Sequence, residues 1–201
     1  MYYIQSEVKT ELVIDKSRFI GQLYIVHSVE EAQATLERVR LIHREANHNC
    51  YAYIIRDGKE IKSSDDKEPA KTAGVPILEV LKHHQLTDVL CVVTRYFGGI
   101  KLGAGGLIRA YTNAAAEAVK LTNQYSLIKK PMVKMHLPYG LFDTFVYQTK
   151  DTVTIVDKTF GEDIELDLIL NELTVDTLRS TYHQTKVIDL GVVDVQVPKI
   201  D

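Results

Sequence analysis

The chain has 201 residues, 45% apolar and 25% charged, a balance that supports a folded protein and excludes disorder as the default. Its net charge of −3 is uneven: residues 1–130 carry 18 Lys and Arg against 15 Asp and Glu, whereas residues 131–201 carry 6 against 12. A mildly basic first part permits an RNA or ribosome contact without requiring one. Runs such as VLCVVT and DLILNELTV are far shorter than a bilayer span, and MYYIQSEVKTE lacks the cationic start and apolar core of a leader, so a cytoplasmic protein without a membrane partner is expected.

In chain order, a first strand is expected around Tyr3 to Leu12, and FIGQLYIVHS has strand composition. Ser28 and Glu31 then form a capping box, and Leu36, Val39 and Ile42 recur at helical spacing beside a solvated flank of Arg38, Arg40 and Arg44. NCYAYIIR reads as a strand, Asp57 and Gly58 as a turn, and KEIKSS as the returning strand. After the polar loop DDKEPAKTAG, Pro76 is placed to open a helix carrying Ile77, Leu78 and Leu81. DVLCVVT suits a central strand, and LIRAYTNAAAEAV a helix reaching about Leu121 and beginning near Gly105 to Leu107. Cys50 and Cys91 both fall in strand-like segments, which favours buried free thiols over a disulfide framework.

NQYSLIKKP reads as a connector or a short bordering strand, placing a boundary between a domain at 1–122 and one at 131–201. Beyond Pro131 the expected elements are strand MVKMHLP, helix YGLFDTFVYQTK, strands TVTIVDKTF and DIELDLILN, helix LTVDTLRSTYHQTK and strand VIDLGVVDVQV. The order βαββαβ is the split ferredoxin-like arrangement, so the whole chain is α+β.

The segment TRYFGGIKLGAGGLIRAY places Gly98, Gly99, Gly103, Gly105 and Gly106 among Arg95, Lys101 and Arg109, between a strand and a helix. Glycine supplies positive φ and room for close approach, and amides at a helix start hold anions. Turn geometry and tight packing could equally account for all five. No Lys-Ser or Lys-Thr follows the last glycine as a P-loop requires, and the third position of a dinucleotide fingerprint opened by Gly103 and Gly105 is Ile108, so no nucleotide cofactor is expected. His43, His48 and Cys50 lack the second cysteine pair or HExxH of a zinc site, so no metal is assigned. His48 and Cys50 share a strand face and could pair as imidazole and thiol, and Asp65, Asp66 and Glu68 could act as acid and base. The plainer reading is a polar edge histidine, a buried cysteine and a solvated loop neutralised by Lys67 and Lys71.

HNCYAYII, DDKEPAKTAGVPILEVL and VVTRYFGGIKLGAGGLIRAYTNAA together resemble the bacterial family related to Impact, a eukaryotic regulator of translation. The resemblance covers about residues 15–121, with 131–201 similar to the additional domain of bacterial members. It implies a first domain like domain 2 of ribosomal protein S5 and domain IV of elongation factor G, and a second like a ferredoxin-like elongation-factor domain. Where the family loop reads Asp-Asp-Gly-Glu-Pro-Ser-Gly-Thr-Ala-Gly, this chain carries Lys67, Ala70 and Lys71 at the third, sixth and seventh positions. Loss of the hydroxyl and gain of two cations fit binding better than catalysis. The implied function is a noncatalytic RNA- or ribosome-associated protein of translation, with Lys71, Arg95, Lys101 and Arg109 on phosphate and Tyr96 or Tyr111 stacking on a base, although these aromatics and Phe97 could equally be core. A hydrolytic or metal-assisted enzyme using the DDKE loop and a protein-interaction module are the alternatives.

Overall fold

The computed structural model describes residues 1–199, which divide into two compact units, Met1–Ser126 with the chain end from Pro198, and Leu127–Val197.

The elements of the first unit are β1 (Tyr3–Ile4), β2 (Val8–Ile14), β3 (Ser17–Ile25), α1 (Val29–Ile42), β4 (His48–Ile55), β5 (Glu60–Ser64), α2 (Gly74–His83), β6 (Val89–Tyr96) and α3 (Gly103–Lys120). Five of its strands form a wholly antiparallel sheet in the order β2-β3-β6-β4-β5. Strands β4 and β6 are buried on both faces, so they read as unbroken apolar runs. Cys50, Ala52 and Ile54 of β4 meet Ile77 and Leu81 of α2 and Tyr111 and Ala114 of α3. The alternate residues Tyr51, Tyr53 and Ile55 meet Ala32, Leu36 and Val39 of α1. The cap of α1 follows the sequence: Ser28 Oγ accepts the Glu31 amide at 3.2 Å, while the Glu31 carboxylate accepts the amide of His27.

Three expectations are corrected here. The first strand is two strands, because Ile4 is buried and β1 pairs with the start of β7 (Gln124–Leu137), stacking Tyr3 on Tyr125 at 5.5 Å. Helix α2 opens at Gly74 rather than Pro76, because the Asp65 carboxylate accepts the amides of Ala73 and Gly74 at 3.0 and 2.8 Å and caps the helix two residues earlier. The stretch NQYSLIKKP is neither a loop nor a short strand but the first half of the 14-residue β7, its polarity reflecting strand residues that are exposed, such as Lys129, or only half-buried, such as Lys130.

The second unit takes most of β7, a 3-10 turn (Tyr139–Leu141), α4 (Phe142–Thr149), β8 (Val153–Phe160), β9 (Ile164–Leu170), α5 (Val175–Thr181) and nearly all of β10 (Lys186–Pro198). Strand β10 pairs with β7, and the remaining order is β7-β9-β8. Strict alternation in β9 buries Ile164, Leu166, Leu168 and Leu170 on one face, against Val133, Met135, Phe145 of α4 and Leu178 of α5. Helix α5 is half the expected length: Thr174 caps its start and its C-cap falls at Tyr182.

Candidate functional site

Strand β6 delivers its last residues into the glycine segment, and each glycine there has its own reason. A Cβ on Gly98 would come within 2.0–2.5 Å of the Lys16 and Ser17 backbone, so packing alone demands glycine. Gly99 and Gly103 sit at φ +87° and +68°, in the left-handed region. Helix α3 opens at Gly103, ahead of the expected Gly105 to Leu107. That leaves Gly105 and Gly106 inside the first turn. At Gly106 a Cβ would press on Leu102 Cβ at 3.0 Å, whereas at Gly105 it would have room, its nearest neighbour being Arg109 Nη1 at 3.7 Å. No side chain caps α3, and its first turn holds no acidic residue. Its leading amides therefore lack the side-chain acceptors that α1 and α2 have.

Beneath the segment lies a buried ionic cluster. Glu68 Oε1 accepts from Arg95 Nη1 at 2.6 Å and from the Tyr111 hydroxyl at 2.8 Å, with His48 Nε2 at 3.7 Å. The Glu68 and Arg95 side chains are 4% and 6% exposed. Phe19 and Phe97 each sandwich the guanidinium at 5.4 Å, yet the buried Arg95 Nε has no acceptor. The Cys50 thiol bonds the Asp65 carbonyl at 2.9 Å and the Tyr111 hydroxyl at 3.4 Å. Burial pushes this thiol well above its ordinary range and holds it neutral. Burial, reinforced by Cys50 and Glu68, likewise raises Tyr111, so its hydroxyl remains a proton donor. Cys91 is free and buried as well, its thiol pushed up to about 12 by burial.

The loop carboxylates are committed to the fold. Asp65 accepts the amides of Lys71, Ala73 and Gly74, and Asp66 accepts the amide of Asn49 at 2.6 Å, with Arg40 at 3.6 Å. His48 Nδ1 lies 2.8 Å from the Asp66 carbonyl oxygen. The alternative imidazole–thiol pair does not form: His48 and Cys50 make separate bonds to the loop backbone, and Cys50 is buried as in the plainer reading. Asp66, Lys67 and Lys71 all adopt positive φ, so the lysines occupy conformations that glycine holds without strain. Among the described residues no group of three or more His, Cys, Asp or Glu is placed to hold a metal ion.

Above the cluster a cleft of about 390 Å³ opens between the loop and the start of α3, with Arg95, Phe97, Lys101, Leu102 and Gly103 in its wall. The structure brings Arg95, Lys101 and Gly103 together there, but alters the roles of others. Tyr111 is fully buried and edge-on to Phe19 at 5.3 Å, so it cannot stack on a ligand. Arg95 is neutralised inside by Glu68, which removes it from any outer cationic surface. Tyr96 is half-buried and bonds His43 at 2.8 Å. Lys71 is exposed beside a second, apolar groove with Val75 and Ile108, and Arg109 is exposed on α3. Phe97, read from the sequence only as a possible core aromatic, is 45% exposed in the cleft wall. Its position two residues past Arg95, on the same side of an extended segment, was the available signal.

Residues 15–119 match the Impact N-terminal domain. The chain is 48% identical over 126 residues to the IMPACT family member YvyE of Bacillus subtilis (strain 168), spanning 62% of this chain and 57% of that relative. It is 37% identical over 181 residues to an IMPACT family member of Haemophilus influenzae (strain ATCC 51907 / DSM 11121 / KW20 / Rd), spanning 88% of this chain and 87% of the other. A crystal structure of a hypothetical protein superposes with TM-score 0.61 at 28% identity, covering 93% of this chain and 95% of that one. No helix among the described residues is long and apolar enough to cross a membrane.

Proposed function

The chain belongs to the IMPACT family, and from that premise we propose that it is a noncatalytic RNA- or ribosome-associated protein acting in translation or its regulation. The observation that carries this reading is the mouth of the cleft, where exposed Lys101 and the uncapped start of α3 lie beside exposed Phe97. Cationic and amide donors suit phosphate, and an exposed ring suits a base. The cationic balance of residues 1–130 supports the same partner. We further read the two units as domains of ribosomal S5 domain 2 and ferredoxin type, in a cytoplasmic protein. Binding is favoured over hydrolysis by the commitment of Asp65, Asp66 and Glu68 to amides and to Arg95, which leaves none of them as a free acid or base.

Titration with structured ribosomal RNA and with single-stranded RNA over a salt series tests the reading. Saturable binding is expected, with log affinity falling linearly in log salt, and Lys101→Glu should weaken binding to all sequences and lower that slope by about one. Absence of saturable binding at low salt, together with no cosedimentation with ribosomes from extract, would sink it.

A further inference from the structure

The cleft has a division that a general phosphate-binding surface does not need. Its lining divides by chemistry: Phe97, Leu102 and Leu107 are apolar, whereas Lys101 is cationic and Gly103 opens α3. A volume of about 390 Å³ is at the small end of ligand sites and suits one nucleotide rather than a helical duplex. Arg95, which borders the cleft, is 94% buried on its side chain, and its Nε–H has no acceptor. Glu68 also borders the cleft, but its charge is matched by Arg95 and its Oε1 already accepts the Tyr111 hydroxyl, so Lys101 dominates the field felt by an incoming anion.

Resting on the RNA-binding reading above, we propose that this cleft takes a single unpaired nucleotide, its base against Phe97 and its phosphate on Lys101 and the amides at the start of α3. The site thereby selects single-stranded over double-stranded RNA, because a paired base cannot leave its stack to enter the slot without losing its pairing energy. Leu102 and Leu107 accept any base face, which makes the selection one of strandedness rather than sequence.

The test uses the full chain with three probes: adenosine monophosphate, an oligoadenylate single strand, and a blunt RNA duplex, with inorganic phosphate as the control. Both adenine probes are expected to shift the amide resonances of Gly103, Ala104 and Gly105 and the Phe97 ring, and the single strand to bind more tightly than the duplex. Phe97→Ala should weaken the single strand about 5- to 100-fold. Lys101→Ala, a substitution at an exposed position, should weaken it too by removing the phosphate contact. Equal binding of phosphate and the monophosphate, or unchanged single-strand affinity in both folded variants, overturns the nucleotide site. If the duplex and ribosomes still bind under those outcomes, the site alone falls and the RNA reading stands; if no RNA binds at all, both fall.

Discussion

The two units are stabilised by different means. In the first, a sheet covered on both faces encloses a carboxylate, a guanidinium, a phenol and a thiol at the end where β4 and β6 meet the loop and α3. In the second, the core is apolar, and Thr149 is the only buried polar residue among those described. Its ionic pairs, such as Lys134 with Glu165 and Asp167, are partly exposed. A buried ion pair is a poor source of stability, since desolvation cancels much of the attraction and an apolar pair of similar volume often serves as well. The second unit therefore shows what folding requires, and the first shows an added polar device placed beneath the candidate cleft.

Removing one partner of that device should produce the largest effect. Glu68→Ala leaves Arg95 buried without a counter-charge and should cost about 3–5 kcal/mol, read as lost amide-exchange protection in β6. Replacing both residues by apolar ones, Glu68→Leu with Arg95→Met, should recover most of the loss. Lys134→Ala in the second unit should change protection in β9 very little, because solvent and two partners share its charge. The contrast breaks if Glu68→Ala and Lys134→Ala prove equally mild.

Leu168→Ala turns the comparison around. Leu168 is fully buried in a core with no polar alternative, so its loss should cost about 2–5 kcal/mol through transfer and cavity terms. Protection should fall in β9 and persist in the central β6 of the first unit. Equal loss in both strands would mean that the two cores do not unfold as separate units.

Local patterning made most of the elements legible, and long-range pairing hid the rest. Ser28 and Glu31 marked the start of α1, and the alternation of IELDLIL gave β9 its buried face. Asp65 capping α2 from nine residues away, Tyr3 pairing with Tyr125, and Glu68 reaching Arg95 leave no periodic trace. Tyr111 is different. Leu107, Ala110, Tyr111, Ala114 and Ala118 recur at i, i+3, i+4, i+7 and i+11, a stripe that assigns this tyrosine to the core from sequence alone. The cationic neighbours drew it outward, while Phe97, on no helix and two residues past a strand arginine, had only strand parity to point to it.

The smallest expected effect lies in the pH dependence of the first unit. Burial, then the nearby cations Lys9 and Arg18, hold the His43 imidazole below its ordinary value; Nδ1 lies 2.8 Å from the Tyr96 hydroxyl, and the buried Nε2 has no partner. The unfolded chain takes up this proton near pH ~6.5, whereas the folded protein does so only at lower pH. Between those two values the unfolded state binds more protons, so His43 should subtract stability as pH falls through the window and leave it unchanged above. His84 is shifted in the same direction by burial, Lys199 and His83, so the informative quantity is the difference between the parent and His43→Gln across the acid range. That difference should slope when read by exchange in β6 and stay flat when read in β9, which belongs to the other unit. Parallel curves in β6 would show that His43 is protonated as readily inside the fold as outside it, and that its unpartnered Nε2 is reached by water.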